Sequence, residues 1–268
     1  MCLLVLGWEV HPTYRLVVAA NRDEFHERPS APLAEWPEPA GMMAGRDLRA
    51  GGTWLGVDRA RRFGVVTNYR DLQRPLAGAP SRGGLIPGYF AQPAGPERFL
   101  EDVAPAARDY SGFNLLLSDG RSLWYASNRT QPFARPLEPG IYGLSNHLLD
   151  TPWPKLTRVR GAFEAWMGAA PGTSPDALWK ILADRNPATD GEGSPATGLS
   201  AHWATVLSSP FVLDPEYGTR CSTLVLLERS GILTVRERRF DSGGALTGET
   251  ELGLPAAGAD AAARKKRS

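Results

Sequence analysis

The sequence predicts an α+β fold in which paired antiparallel sheets are covered by helices. Three observations carry that expectation. Apolar runs rich in Leu and Val come in pairs, separated by short polar turns. Segments with apolar residues three and four apart sit between those pairs. A further pair of strands follows near the C-terminus. The order is strands, helices, strands, which suits antiparallel pairing better than a βαβ winding.

Residues 3–9 and 14–20 form a first hairpin around Val10-His11-Pro12-Thr13. Residues 53–57 and 63–67 flank Asp58-Arg59-Ala60-Arg61, and residues 113–117 and 123–126 flank the turn signal Ser118-Asp119-Gly120-Arg121. Residues 141–144 make a short strand, and 222–228 and 232–238 pair around Arg229-Ser230-Gly231. Helices are expected over 85–91, 96–108, 154–167 and 175–183. The second opens on proline with acidic residues in its first turns. The third carries Leu156, Val159, Phe163 and Trp166 on one face. Segment 30–41, with Pro32, Pro37 and Pro39, is expected to be irregular, and 185–199 to be a loop. No repeat or composition break divides residues 1–250, so one domain is expected there. Residues 251–268, ending in Arg264-Lys265-Lys266-Arg267, read as a flexible basic tail.

At 268 residues, 42% of them hydrophobic, the chain can bury a full core. Its 30 basic and 29 acidic residues give a net charge of +1, which offers nothing to a nucleic acid or a membrane surface. Two cysteines, Cys2 and Cys221, make no disulfide framework. There is no Cys-x-x-Cys, and His11, His26, His147 and His202 are scattered, so no metal or other cofactor is expected. The apolar run 3–8 is too short for a signal peptide or a membrane span. A cytoplasmic protein with reduced thiols is expected.

Met1-Cys2 has chemical consequences. Removal of Met1 leaves a chain that begins with both a thiol and a free α-amine. The amine titrates at roughly 7.7–8.0, so part of it is neutral near pH 7 and can act as a base toward its own thiol. The thiol starts near about 8.5, and a neighbouring arginine lowers it. If the first hairpin turns over residues 10–13, Glu9 faces Tyr14 and Cys2 faces Asn21. The N-terminus then arrives at Asn21-Arg22-Asp23-Glu24, where an arginine could hold the thiolate or substrate and an aspartate could orient the amine.

Met1-Cys2, Asn21-Arg22-Asp23-Glu24 and Gly51-Gly52-Thr53-Trp54-Leu55-Gly56 together resemble the NRDE family, that of the transport and Golgi organisation protein 2 homologues. So do Asn68 in Val65-Val66-Thr67-Asn68-Tyr69-Arg70, Leu144-Ser145-Asn146, and Gly218-Thr219-Arg220-Cys221-Ser222-Thr223. The resemblance implies an N-terminal-nucleophile hydrolase-like, four-layer αββα sandwich of two antiparallel sheets. Within that superfamily it is nearest the cysteine branch of bile-salt hydrolases and penicillin V acylases, which cleave linear amides. By resemblance Cys2 is the nucleophile and Asp23 contacts its amine. Asn68 and Asn146 supply oxyanion or amine contacts, and Arg220 tunes the thiol and the carbonyl side. Asn21, Arg22 and Trp54 fall on the substrate side. The acylase branch reads Arg-Asn-x-Asp, whereas here Arg22 adjoins Asp23. Adjacent side chains on a strand face opposite ways, so the two need not both reach Cys2.

Other residues read as structural. His147 is expected to be simply hydrogen-bonded and Cys221 a small core residue. Arg82-Gly83-Gly84 does not make a phosphate loop. Two functions are expected in competition. One is a cysteine amidohydrolase of a small linear amide. The other is a non-catalytic carrier of haem or of an acyl compound such as acyl-CoA. A degenerate enzyme or thiol sensor is a third. The partner in each case is a small molecule. The chain has no Cys-x-x-Cys-His, so any haem would be held non-covalently.

Overall fold

The computed structural model describes residues 2–70, 78–170, 172–188 and 199–256. A first sheet contains β1 (Cys2–Trp8), β2 (Tyr14–Phe25), β10 (Gly140–Leu144), β11 (Tyr217–Glu228), β12 (Leu233–Phe240) and β13 (Leu246–Leu254), in the order β10-β1-β2-β11-β12-β13. A second sheet runs in chain order through β3 (Ser30–Glu35), β4 (Met42–Asp47), β5 (Leu55–Asp58), β6 (Phe63–Asn68), β7 (Phe113–Ser118), β8 (Leu123–Ser127) and β9 (Ala134–Pro136). Neighbouring strands pair antiparallel throughout.

The layers follow from strand alternation. Leu4, Leu6, Leu16 and Val18 face the second sheet and pack with Val57, Phe63, Val65 and Leu116. Leu3, Val5, Val17 and Ala19 face the other way. They meet Leu156, Val159 and Phe163 of α3 (Pro154–Met167) and Leu178 and Leu182 of α4 (Ala177–Leu182). The outer face of the second sheet, through Val66, Leu115 and Leu117, is covered by α1 (Leu85–Phe90) and α2 (Pro96–Val103). The result is helix, sheet, sheet, helix, the αββα sandwich expected. A short α5 (Ala201–Val206) lies near the start of β11, with Trp203 against Tyr217. Among the described residues no helix is long and apolar enough to cross a membrane.

The structure adds β3, β4, β9, β13 and α5 to the elements read from the sequence. Within segment 30–41, expected to be irregular, Ser30–Glu35 forms β3, and β4 follows from Met42. Pro32 is tolerated because β3 is an edge strand with its register shift between Ala31 and Ala34, where a missing N–H breaks no ladder. The chain also remains paired as far as Leu254 in β13, past the boundary expected at 250. That strand is an edge with every residue at least partly exposed, and its three leucines are spread among Thr, Glu and Gly with only Leu252 and Leu254 packed on the core, so its apolar signal is short. The remainder of the expected tail, from 257 onward, lies outside the described residues.

Candidate active site

The first hairpin decides where the N-terminus arrives. Trp8 faces Leu16, so Cys2 faces Arg22 and not Asn21. The connection is one residue longer than expected. Glu9 N donates to Arg15 O at 2.8 Å, Glu9 takes φ 56°, and His11 Nδ1 accepts from Thr13 N and Tyr14 N. Tyr14 thereby opens β2 without a partner on β1, pairing with Glu228 of β11 instead, and a one-residue slip exchanges the faces of every later pair. β2 also continues through Phe25, so Asn21, Arg22 and Asp23 are buried strand residues flanked by β1 and β11.

Arg22 and Asp23 take opposite faces of that strand. Arg22, 5% exposed, is on the intersheet side with its guanidinium 4.3 Å from the centre of the Trp54 ring. Its Nη2 lies 3.7 Å from Asp47 and 3.9 Å from Glu24, beyond ordinary hydrogen bonds, and its Nη1 is buried with no hydrogen-bond partner among the described residues. Asp23, 1% exposed, is on the helix side and accepts from Thr219 Oγ1 at 2.7 Å. Its main-chain oxygen accepts from Tyr217 Oη at 2.9 Å. Burial pushes the Asp23 carboxyl above the ordinary range, while Lys155, the Thr219 bond and Arg22 pull the other way.

The two predicted asparagines come together. Asn146 Nδ2 donates to Asn68 Oδ1 at 2.5 Å and to Asn68 O at 3.1 Å. Asn146 is fully buried in the left-handed region at φ 57°. Because Asn68 Oδ1 is engaged as an acceptor, its amide nitrogen is the end left to donate. The other two predicted residues have structural duties. Asn21 Nδ2 donates to Leu182 O at 2.8 Å and Pro210 O at 2.9 Å, and its Oδ1 accepts from Ser222 Oγ at 2.6 Å. That carboxamide ties the sheet to the helical layer, where a substrate contact had been expected. Arg220 occupies the register shift between Thr219 and Cys221, and a bulge re-aims its side chain. Its Nη1 donates to Phe25 O and His26 O at 3.1 and 2.9 Å, clamping the end of β2.

A cleft of about 530 Å³ opens beside this strand end, with Arg22, Asp23, Trp54, Asn68, Arg82 and Tyr217 among its walls. Over residues 1–242 the chain matches Transport and Golgi organisation 2. The chain belongs to the Transport and Golgi organisation 2 family. A "Transport and Golgi organization 2 homolog" of Mus musculus is 32% identical over 261 residues, covering 89% of this chain and 92% of that one. A Homo sapiens homologue is 32% identical over 260 residues with the same coverage of 89% and 92%. Among solved structures, the C2A mutant of a conjugated bile acid hydrolase from Clostridium perfringens aligns with a TM-score of 0.53, over 95% of this chain and 92% of that one, at 7% identity. That likeness is of fold, the N-terminal-nucleophile hydrolase fold.

Two residues of this family member escaped the sequence reading, and one motif gains a packing reason. Lys155, 3% exposed, sits in the first turn of α3, where a cation opposes the helix dipole. That unfavourable placement is the signal that could have marked it as a buried partner of a carboxylate. Asp47 anchors the loop below Arg22, accepting from Arg49 N and Ala50 N at 3.0 Å each and pairing with Arg28 Nε at 2.7 Å. The motif is the glycine pair Gly51-Gly52 that precedes Thr53-Trp54. A Cβ on Gly52 would stand 2.4 Å from Gly83 O, so the cleft wall closes only because position 52 has none. Gly52→Ala is expected to lower stability by about 1–3 kcal/mol in a urea titration. An unchanged midpoint would show that the loop around Gly83 yields freely.

Proposed function

We propose that this chain is an N-terminal-cysteine amidohydrolase acting on a small linear amide. The observation that supports it best is the register of β1. Position 2 is the strand partner of Arg22, and Arg22, Asp23 and Asn68 all line a polar cleft. The split between Arg22 and Asp23 becomes a division of labour. Position 2 pairs directly with position 22, so Arg22 is assigned to the thiol. Asp23, on the other face, serves the backbone amine exposed when Met1 is removed.

In this reading the amine takes the thiol proton as sulfur attacks the amide carbonyl carbon. The oxyanion forms opposite the Asn68 amide, held in place by Asn146. Collapse breaks the C–N bond, and the ammonium returns its proton to the leaving amine. A water, deprotonated by the same amine, then cleaves the thioester to the acid and restores the thiol.

The test is direct. Intact mass should show a chain without Met1. An alkylating probe should then label Cys2 well ahead of buried Cys221, with an apparent thiol pKa below about 8.5. Retained Met1, or equal labelling of the two thiols, would end the mechanism. The spare Nη1 of Arg22 also favours a carrier reading, in which the cleft holds an acyl compound or haem by an acceptor oxygen without turnover. Ligand binding that survives Cys2→Ala, with no hydrolysis by the wild type, is its signature.

A further inference from the structure

Tyr69 follows Asn68, His147 follows Asn146, and the two side chains meet. Tyr69 Oη lies 2.9 Å from His147 Nε2, and His147 Nδ1 lies 2.9 Å from Thr151 Oγ1. Thr151 Oγ1 donates its single hydrogen to Leu148 O at 2.8 Å. It therefore accepts from Nδ1–H, which leaves Nε2 bare to accept from Tyr69. The network assigns the neutral Nδ1–H tautomer. Burial lowers the proton affinity of His147, which favours the same neutral form.

The surrounding bonds bring segments 68–70 and 145–147 side by side. Arg70 N donates to Asn146 O at 2.8 Å, and Asn146 Nδ2 reaches Asn68. His147 O accepts from Asn114 Nδ2 at 2.8 Å, and Asn114 Oδ1 accepts from Tyr125 Oη at 2.7 Å. Between these ties stands Asn146 itself, in a backbone conformation that side-chain-bearing residues seldom adopt. We propose that His147 is a positioning residue for the Asn68–Asn146 pair. As acceptor from Tyr69 and donor to Thr151 it fixes the left-handed turn, and its protonation reverses the Tyr69 link and loosens the pair. The functional consequence rests on the reading that this pair serves the Cys2 centre.

The groups around the ring leave the imidazolium without compensation. Arg70 stands 5.5 Å over Trp153, and the Trp153 ring packs edge-on to His147. Asp150 is engaged by Gly143 N and by Arg160 Nη1 at 2.8 and 3.0 Å. Tyr125 is committed to Asn114, and Lys155 is buried in the first turn of α3. Among the described residues neither ring nitrogen meets a carboxylate.

The experiment has two arms. In the first, side-chain amide resonances of Asn68 and Asn146 are followed by NMR across the His147 titration. They should move with the midpoint of the ring, and the coupling should weaken in Tyr69→Phe. Amides that stay still while the ring titrates overturn the proposal. In the second arm, acylation of Cys2 by an activated ester, a step that passes through the oxyanion, is timed against pH. Below the His147 midpoint the wild type should lose about fivefold beyond the thiol's own titration, the worth of one hydrogen bond. His147→Gln, which can still donate and accept, should recover most of the rate lost in His147→Phe and flatten the acid limb. Identical behaviour of those two variants overturns the proposal. Coupled amides with a flat acylation profile in every variant uphold the brace and sink the Cys2 reading instead.

Discussion

Cys2→Ala is expected to reduce amide hydrolysis at least about 10³-fold while leaving the thermal midpoint near that of the wild type. Without the thiol, only water activated in the cleft could attack, aided by the Asn68 amide and by binding alone. The fold should not notice, because position 2 opens β1 and its ladder to β2 is made by backbone groups that alanine keeps. Cys2→Ser should be nearly as inactive, since a hydroxyl is a far weaker nucleophile beside the same amine. The measurement is turnover of a panel of linear amides, each with wild type and variant in parallel. Hydrolysis that persists in Cys2→Ala would remove Cys2 from the chemistry, whatever its labelling rate.

Asp23→Ala should be the most damaging single change to stability, at about 3 kcal/mol in a denaturant titration. It strips the buried Thr219 hydroxyl of its acceptor and takes the countercharge from the neighbourhood of Lys155. Asp23→Asn keeps the shape and an acceptor for Thr219, so it should lose less stability while still losing the orientation of the amine. Comparing the two separates the structural duty from the chemical one. The pH dependence has a definite sign. Burial raises the carboxyl's folded-state pKa, so the folded protein holds that proton more tightly than the unfolded chain. This contribution is fully present below the unfolded value near ~3.9 and is lost as pH climbs through the folded value. Asp23→Asn carries no such proton. The stability gap between wild type and Asp23→Asn should therefore move in the variant's favour as pH rises from acid to neutral. A gap moving the other way would mean that Lys155 and Thr219 outweigh burial.

The layered fold was legible because its signals are local. The apolar runs of β1, β2, β7 and β11 and the face of α3 are periodicities that any neighbouring layer would satisfy. β3 and β13 were not legible. Edge strands bury one side or neither, so they are under little pressure to alternate, and Pro32 hid the first of them. In the site, Asn68 and Asn146 stood out through the motifs that carry them, and the structure brings them into contact. Asn21 was legible as a motif residue but not as a brace. Its carboxamide partners, Leu182 and Pro210, are distant main-chain oxygens that no spacing encodes.

What the sequence determined by itself about Cys2 was its chemistry and its approximate address. A thiol and a latent amine share one residue, carried by a strand toward Asn21-Arg22-Asp23-Glu24. Only the tertiary structure decided the address to the residue. A loop closed by the Glu9–Arg15 bond shifts the pairing by one, making Arg22 the partner. It also decided that Arg22 and Asp23 work from opposite faces, one stacked on Trp54 and the other buried beside Thr219. The physical reason is that strand pairing is set by turn geometry and by the neighbouring strand. Those are distances in space, and a linear motif does not contain them.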